Sequence, residues 1–146
     1  MSFTRGPALV RVKVPGTVVG QAELSVGKTG KAYYRNRAEL TPWRQAITAH
    51  TRVAVRRGRL QLVDGQAAMW LEVTFVLARP RTVRRPLPSV RPDLQHYVRA
   101  AEDAITGVLW KDDGQITDTT SRKRYVDTTH PVPCLLLEAG LMLEET

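Results

Sequence analysis

The stretch from residue 66 to residue 126 changes hydrophobic period twice, and no other feature restricts the fold as much. Residues 66–78 set Val73, Phe75 and Leu77 on one side and Thr74 and Val76 on the other, the two-residue period of a strand. Leu94, Tyr97/Val98, Ala101 and Ala104/Ile105 then recur at helical spacing. Asp93 stands at the cap position of that helix and Gly107 at a natural stop. Residues 115–126 return to period two through Ile116, Asp118 and Thr120. The segment 79–91 carries Pro80, Pro86 and Pro88 and reads as a loop. A strand buries a face and a helix buries a stripe, so these segments must layer helix on sheet.

The rest of the chain extends that pattern. Residues 8–14 alternate Val10, Val12 and Val14 with Leu9, Arg11 and Lys13, a first strand that Pro15-Gly16 breaks. Residues 18–36 hold Gly20, Gly27, Gly30 and Tyr33-Tyr34 and suit a loop or hairpin. Thr41-Pro42 reads as a helix start, with Thr41 the N-cap and Pro42 the first helical residue. Its predicted apolar stripe is Trp43, Ala46/Ile47, His50 and Val53/Ala54, and Gly58 ends it. Lys111-Asp112-Asp113-Gly114 is a turn, and a last strand lies within residues 134–143. The expectation is one α+β domain over residues 1–146, a mixed sheet packed with two main helices.

Charge narrows the function. The chain has 22 Lys and Arg against 14 Asp and Glu, net +8, and 17 of the 22 cations are arginine. The planar guanidinium fork matches phosphate oxygens, so a polyanion such as nucleic acid is the expected partner. The acids are unevenly placed. Between residues 24 and 92 only Glu39, Asp64 and Glu72 occur, whereas Asp93, Glu102, Asp103, Asp112, Asp113 and Asp118 crowd the next 26 residues. Arg79, Arg81, Arg84, Arg85 and Arg91 lie just before them. Arginines beside carboxylates suit an enzyme that holds a phosphodiester with one set and a cation with the other. A pure binder gains nothing from acids near phosphate.

One cysteine, Cys134, excludes an internal disulfide framework and a Cys-rich zinc site. His50, His96 and His130 lack ligand spacing. His96 and Cys134 read as structural. No apolar run reaches the ~18–20 residues of a membrane span, so a cytoplasmic protein without membrane contact is expected.

The segment Arg91-Pro92-Asp93-Leu94-Gln95-His96, the helix after it, and Lys111-Asp112-Asp113-Gly114-Gln115-Ile116 together resemble the RusA-type Holliday junction resolvases. That family carries an R/K-P-D-x-D-N start, a helix, and a K-D-D-x-Q-[IV] turn. The spacing agrees without a gap, and the opening strand, the basic loop with Tyr33-Tyr34 and the Trp43 helix agree loosely. The resemblance implies a homodimeric, Mg²⁺-dependent endonuclease of bacterial or phage origin, with Mn²⁺ as substitute cation, that cuts four-way DNA junctions. It implies Asp93 and Asp113 as catalytic acids and Arg99 in place of a functional lysine. Asp93, Asp113, Asp103 and Gln95 are the implied metal shell. Gln95 stands where the family has its second essential aspartate, and His96 where it usually has asparagine.

The chemistry has a physical basis. Mg²⁺ takes oxygen ligands, polarises phosphoryl oxygens and supplies a hydroxide nucleophile. Asp93 at the helix start and Asp113 in the turn can converge if the helix packs beside the next strand, and Gln95, Arg99 and Glu102 or Asp103 share one side of the helix. Glutamine offers a carbonyl oxygen without charge. Lys28, Lys31, Arg35, Arg79, Arg81, Arg84 and Arg85 are the expected phosphate contacts. Two alternatives stand beside this reading. One is a relative that binds branched DNA without cutting it, suggested by Gln95. The other is an RNA-binding domain, which the lack of an aromatic stacking face disfavours.

Overall fold

A computed structural model describes residues 1–22 and 24–146. Its main sheet has four strands in the order β1-β6-β4-β5: β1 Phe3–Pro15, β4 Met69–Leu77, β5 Ile116–Tyr125 and β6 Cys134–Glu144. β6 runs antiparallel to both β1 and β4, while β5 runs parallel to β4. A parallel neighbour needs a crossover, which the helix α2, Leu94–Ile105, supplies. β2 Leu24–Val26 and β3 Ala32–Tyr34 form a separate hairpin, and α1 Arg37–Arg57 completes the fold. The architecture is the single α+β domain, mixed sheet and two helices that the periods imply. Among the described residues no helix is long and apolar enough to cross a membrane.

One sheet face and the two helices enclose the core. Val10, Val12 and Val14 of β1, Leu71, Val73 and Phe75 of β4 and Leu135, Leu137 and Ala139 of β6 point into it at alternate positions. α2 adds Tyr97, Val98, Ala101, Ala104 and Ile105, the stripe read from its spacing. Leu109 and Trp110, just past α2, are wholly buried, and the Trp110 indole donates to Thr106 Oγ1 at 3.0 Å.

Three local expectations are corrected. α1 begins at Arg37, not at Thr41-Pro42, so Pro42 lies inside the helix and Asn36 is the N-cap residue. Leu40, in the added first turn, is 1% exposed. Burying it offsets the single backbone bond that Pro42 cannot make. The buried stripe of α1 is accordingly Leu40, Trp43, Ile47 and Thr51, with His50 and Val53 exposed. β1 begins at Phe3 rather than Ala8 and bridges Gly6-Pro7 by irregular register. Proline is tolerated there because β1 is an edge strand.

The irregularity in β1 faces Gly140 of β6. A Cβ on Gly140 would lie 2.5 Å from Pro7 O and 2.6 Å from the Trp70 indole nitrogen. That nitrogen donates to Gly6 O at 3.0 Å, which fastens the bulge to β4.

The second face of the sheet carries ion pairs. Arg5 joins Glu72 at 3.1 Å and Asp118 at 3.0 Å, and its guanidinium carbon stands 5.1 Å from the Trp70 ring. The hydrogen bond from Arg5 holds the Asp118 carboxyl below its ordinary range. Asp118→Asn is therefore expected to lower the melting temperature near neutral pH. The wild-type advantage exists above the usual carboxylate range and is lost as pH falls through the depressed folded value. Melting curves of both proteins down to about pH 3 should converge in acid. A constant gap would assign the effect to packing.

Candidate functional site

α2 organises the site because each of its ends presents acids. At its start, Asp93 is the N-cap residue, yet its carboxylate makes no capping bond and the residue is exposed. The cap read from sequence is thus present in position and free in chemistry. Lys123 of β5 holds the chain just before it, donating to Val90 O at 2.7 Å and Pro92 O at 2.9 Å. Asp93 faces a cleft of about 620 Å³ with Gly20, Arg35, Arg91 and His96. The segment before the hairpin packs tightly here, since a Cβ on Gly20 would stand 3.2 Å from the His96 Cβ. Arg35 donates to Ser25 Oγ at 2.8 Å, so it is oriented by its own hairpin.

At the other end stand Glu102, Asp103 and Asp113. Asp103 accepts from Gln21 Nε2 at 2.9 Å, and the same amide nitrogen donates to Tyr34 Oη at 3.0 Å. The buried Gln21 thereby links the hairpin to α2. Burial pushes the Glu102 carboxyl above its ordinary range; Asp113 and Asp103 add to this, and Arg99 opposes it. Glu102 thus lies within electrostatic reach of all three.

The turn after α2 separates the roles of its paired aspartates. The Asp112 carboxylate accepts from Gly114 N at 2.7 Å and caps a single turn of 3₁₀ helix, Asp113–Gln115. Gln115 accepts from the backbone of Lys111 and Asp112 and donates to Asp64 O and Ala67 O. Asp112 and Gln115 build the turn, and Asp113 is left exposed. The spacing D-D-x-Q is thus one structural acid, one free acid and one buried amide that holds the backbone of Lys111 and Asp112.

Asp93 precedes α2, and Asp113 lies in the turn after it. They flank opposite ends of a 12-residue helix, which spans roughly 18 Å at 1.5 Å per residue. Gln95 and Arg99 lie exposed on the outer side of α2 between them. Among the described residues no three His, Cys, Asp or Glu side chains stand close enough to hold a cation. Asp93, Gln95, Asp103 and Asp113 are thus spread along α2 and the turn after it.

The expected phosphate contacts divide as well. Lys28 and Lys31 are exposed at the hairpin tip, and Arg81 and Arg84 are exposed on the 79–91 loop. Arg79 instead donates to Val83 O and Arg85 O and closes its own loop. Its guanidinium and that of Arg85 lie against the Tyr125 ring, at 5.5 and 6.0 Å. Sequence reasoning missed Arg44 and Arg52. They line a groove of about 670 Å³ between α1 and the Asp103 end of α2, with no carboxylate partner among the described residues. The available signal was that both fall outside the apolar stripe of a helix whose one acid is Glu39.

The family description of endodeoxyribonuclease RusA matches residues 15–131, most of the chain. The chain belongs to the RusA endodeoxyribonuclease family. The RusA match takes in the hairpin, both helices, the paired-aspartate turn and β5, hence every acid of the site. RusA membership carries Holliday junction resolvase nuclease activity as the family's function and four-way junction DNA as its substrate. No individual curated protein matches the chain closely enough to add to this.

Proposed function

We propose that the protein is a Mg²⁺-dependent, homodimeric endonuclease that cuts the strands of four-way DNA junctions in recombination and repair, and that Mn²⁺ can replace Mg²⁺. The observation that carries this reading is the pair of acid-bearing ends of α2, each bordered by cations with no carboxylate partner among the described residues: Arg35 and Arg91 at one, Arg44 and Arg52 at the other. Arginines there neutralise phosphate while the acids remain unbonded to them.

The length of α2 supports the dimer. A cation held by Asp93 together with Asp103 and Asp113 needs both helix ends at one point. Two copies with their α2 helices antiparallel about a two-fold axis meet that need, because Asp93 of one then approaches the partner's Asp113. The same two-fold repeats the site for the second strand of the junction. Arg99, on the outer face of α2, would meet the phosphate or the charge that develops on it. Lys28, Lys31, Arg35, Arg81 and Arg84 would grip the arms, and Arg79 and Arg85 would act mainly by shaping the loop.

Gln95 weakens the cation site in this proposal. It brings an oxygen without a charge, and its side chain is one methylene longer than aspartate. Gln95→Asp is expected to lower the Mg²⁺ concentration for half-maximal cleavage of a synthetic four-way junction by roughly tenfold, the scale on which single supporting groups change metal affinity. Identical titrations for both proteins would remove residue 95 from the cation shell. Gln95 also favours a second reading, a RusA relative that holds branched DNA without cutting it. Junction binding with no cleavage in either Mg²⁺ or Mn²⁺ would select that one.

A further inference from the structure

We propose that Lys123 is a positioning residue for strand cleavage, which sets Arg91 and Asp93 in place by holding the main chain on either side of Arg91. This rests on the junction-nuclease reading and adds to it a residue outside the acid-bearing segments. Lys123 Nζ donates to Val90 O at 2.7 Å and to Pro92 O at 2.9 Å. Arg91 stands between those two carbonyls, and Asp93 follows them. Arg91 and Asp93 line the same cleft. One ammonium therefore fixes the stretch of chain that carries a cation and the acid of that cleft.

The anchor is rigid. Lys123 pairs with Phe75 across the β4–β5 ladder, and side chains at paired positions leave the same face of a sheet. Phe75 belongs to the core, so Lys123 rises from the face that the helices cover. The Phe75 ring lies 5.4 Å from that of Tyr97, in the first turn of α2. β4 thus packs against the start of the helix while β5 grips the residues just before it. Asp93 has no such hold of its own, because its carboxylate makes no capping bond. Its place is set through the main chain.

Helix stability does not account for a lysine here. A cation beside the N-terminus of a helix opposes the macrodipole. Among the described residues Lys123 has no carboxylate partner to offset this. A capping carboxylate at Asp93 would satisfy the helix start without any cation. The ammonium supplies something else, two charge-assisted bonds that hold the chain and leave the Asp93 carboxylate free. Groups kept against a local preference are expected at functional sites. In such a site a displacement of about 1 Å costs roughly a hundredfold in rate.

The test compares wild type with Lys123→Met, Lys123→Gln and Lys123→Arg on a synthetic four-way junction. Single-turnover cleavage is titrated with Mg²⁺; melting temperature and junction binding without divalent cation are measured alongside. Lys123→Met keeps the length and loses both bonds. It is expected to cleave roughly ten- to a hundredfold more slowly and to need more Mg²⁺ for half its maximal rate, the scale on which supporting groups act. Its junction affinity should fall far less than its rate. Lys123→Arg can donate to both carbonyls and should recover most of the rate. Lys123→Gln retains an amide donor and should fall between, an outcome that stands even where Lys123→Met fails to fold. Variants that melt earlier but, while folded, cleave with the wild-type rate and Mg²⁺ requirement overturn the inference alone. A wild type that cuts no junction in Mg²⁺ or Mn²⁺ overturns the functional reading and this inference with it.

Discussion

Mixing Asp93→Asn protein with Asp113→Asn protein is expected to restore junction cleavage that neither variant shows alone. Each substitution by itself should reduce cleavage by about 10²–10³-fold, the effect of removing one electrostatic stabiliser of a transition state. Binding should survive, since losing a negative charge does not weaken attraction to phosphate. In a site shared between copies, a mixed dimer has one site carrying both substitutions and one site carrying neither. After random reassortment roughly a quarter of the sites are intact. If instead Asp93 and Asp113 served the same chain, every site in every dimer would lack one acid, and mixing would restore nothing. The assay therefore separates the two arrangements by presence or absence of activity, without relying on a small difference in rate. It follows from one dimension, the 12 residues of α2 that stand between the two acids.

Gly140→Ala is expected to destabilise the fold more than most surface or core changes of a single methyl group. The added carbon would meet Pro7 O at 2.5 Å and the Trp70 indole nitrogen at 2.6 Å. The first contact is backbone and cannot rotate away. The second belongs to an indole that is 5% exposed and already committed to Gly6 O. Overpacking costs about 1–3 kcal/mol, and loss of the buried indole hydrogen bond about 1–3 kcal/mol more. At roughly 2–4 °C per kcal/mol for chains of this size, the midpoint should fall by about 10 °C. Differential scanning calorimetry checks it. A fall of less than about 2 °C would mean that β1 slides off its bulge without loss.

α2 was legible in the sequence because three local signals agreed: the cap position of Asp93, the stripe from Leu94 to Ile105, and the stop at Gly107. The start of α1 was not. Thr41-Pro42 is a sound local start signal, and a tertiary contact overrides it by burying Leu40 one turn earlier. β1 was shortened for a similar reason. Trp70 and Gly140, far away in the chain, hold Gly6-Pro7 in the strand. In the site, the free acid of the turn could be selected by motif, since Asp112 and Gln115 occupy each other. The groove that Arg44 and Arg52 share with Asp103 could not, because it depends on how α1 packs against α2. The two bonds by which Arg79 closes its own loop were not legible either, because composition counts a guanidinium without revealing what it touches.

β6 follows every other strand in the sequence yet lies between β1 and β4 in the sheet. Its two ladders tie Phe3 to Glu144 and Val76 to Cys134, and Ser2 hydrogen-bonds Glu145. A chain emerging from the ribosome can form the β2–β3 hairpin and pair β4 with β5 around α2 while β1 still has no partner. The backbone of β1 stays unpaired until residues 134–144 arrive and slot in. Closure of the main sheet is thus postponed until residues 134–144 have been made, whatever else has already folded.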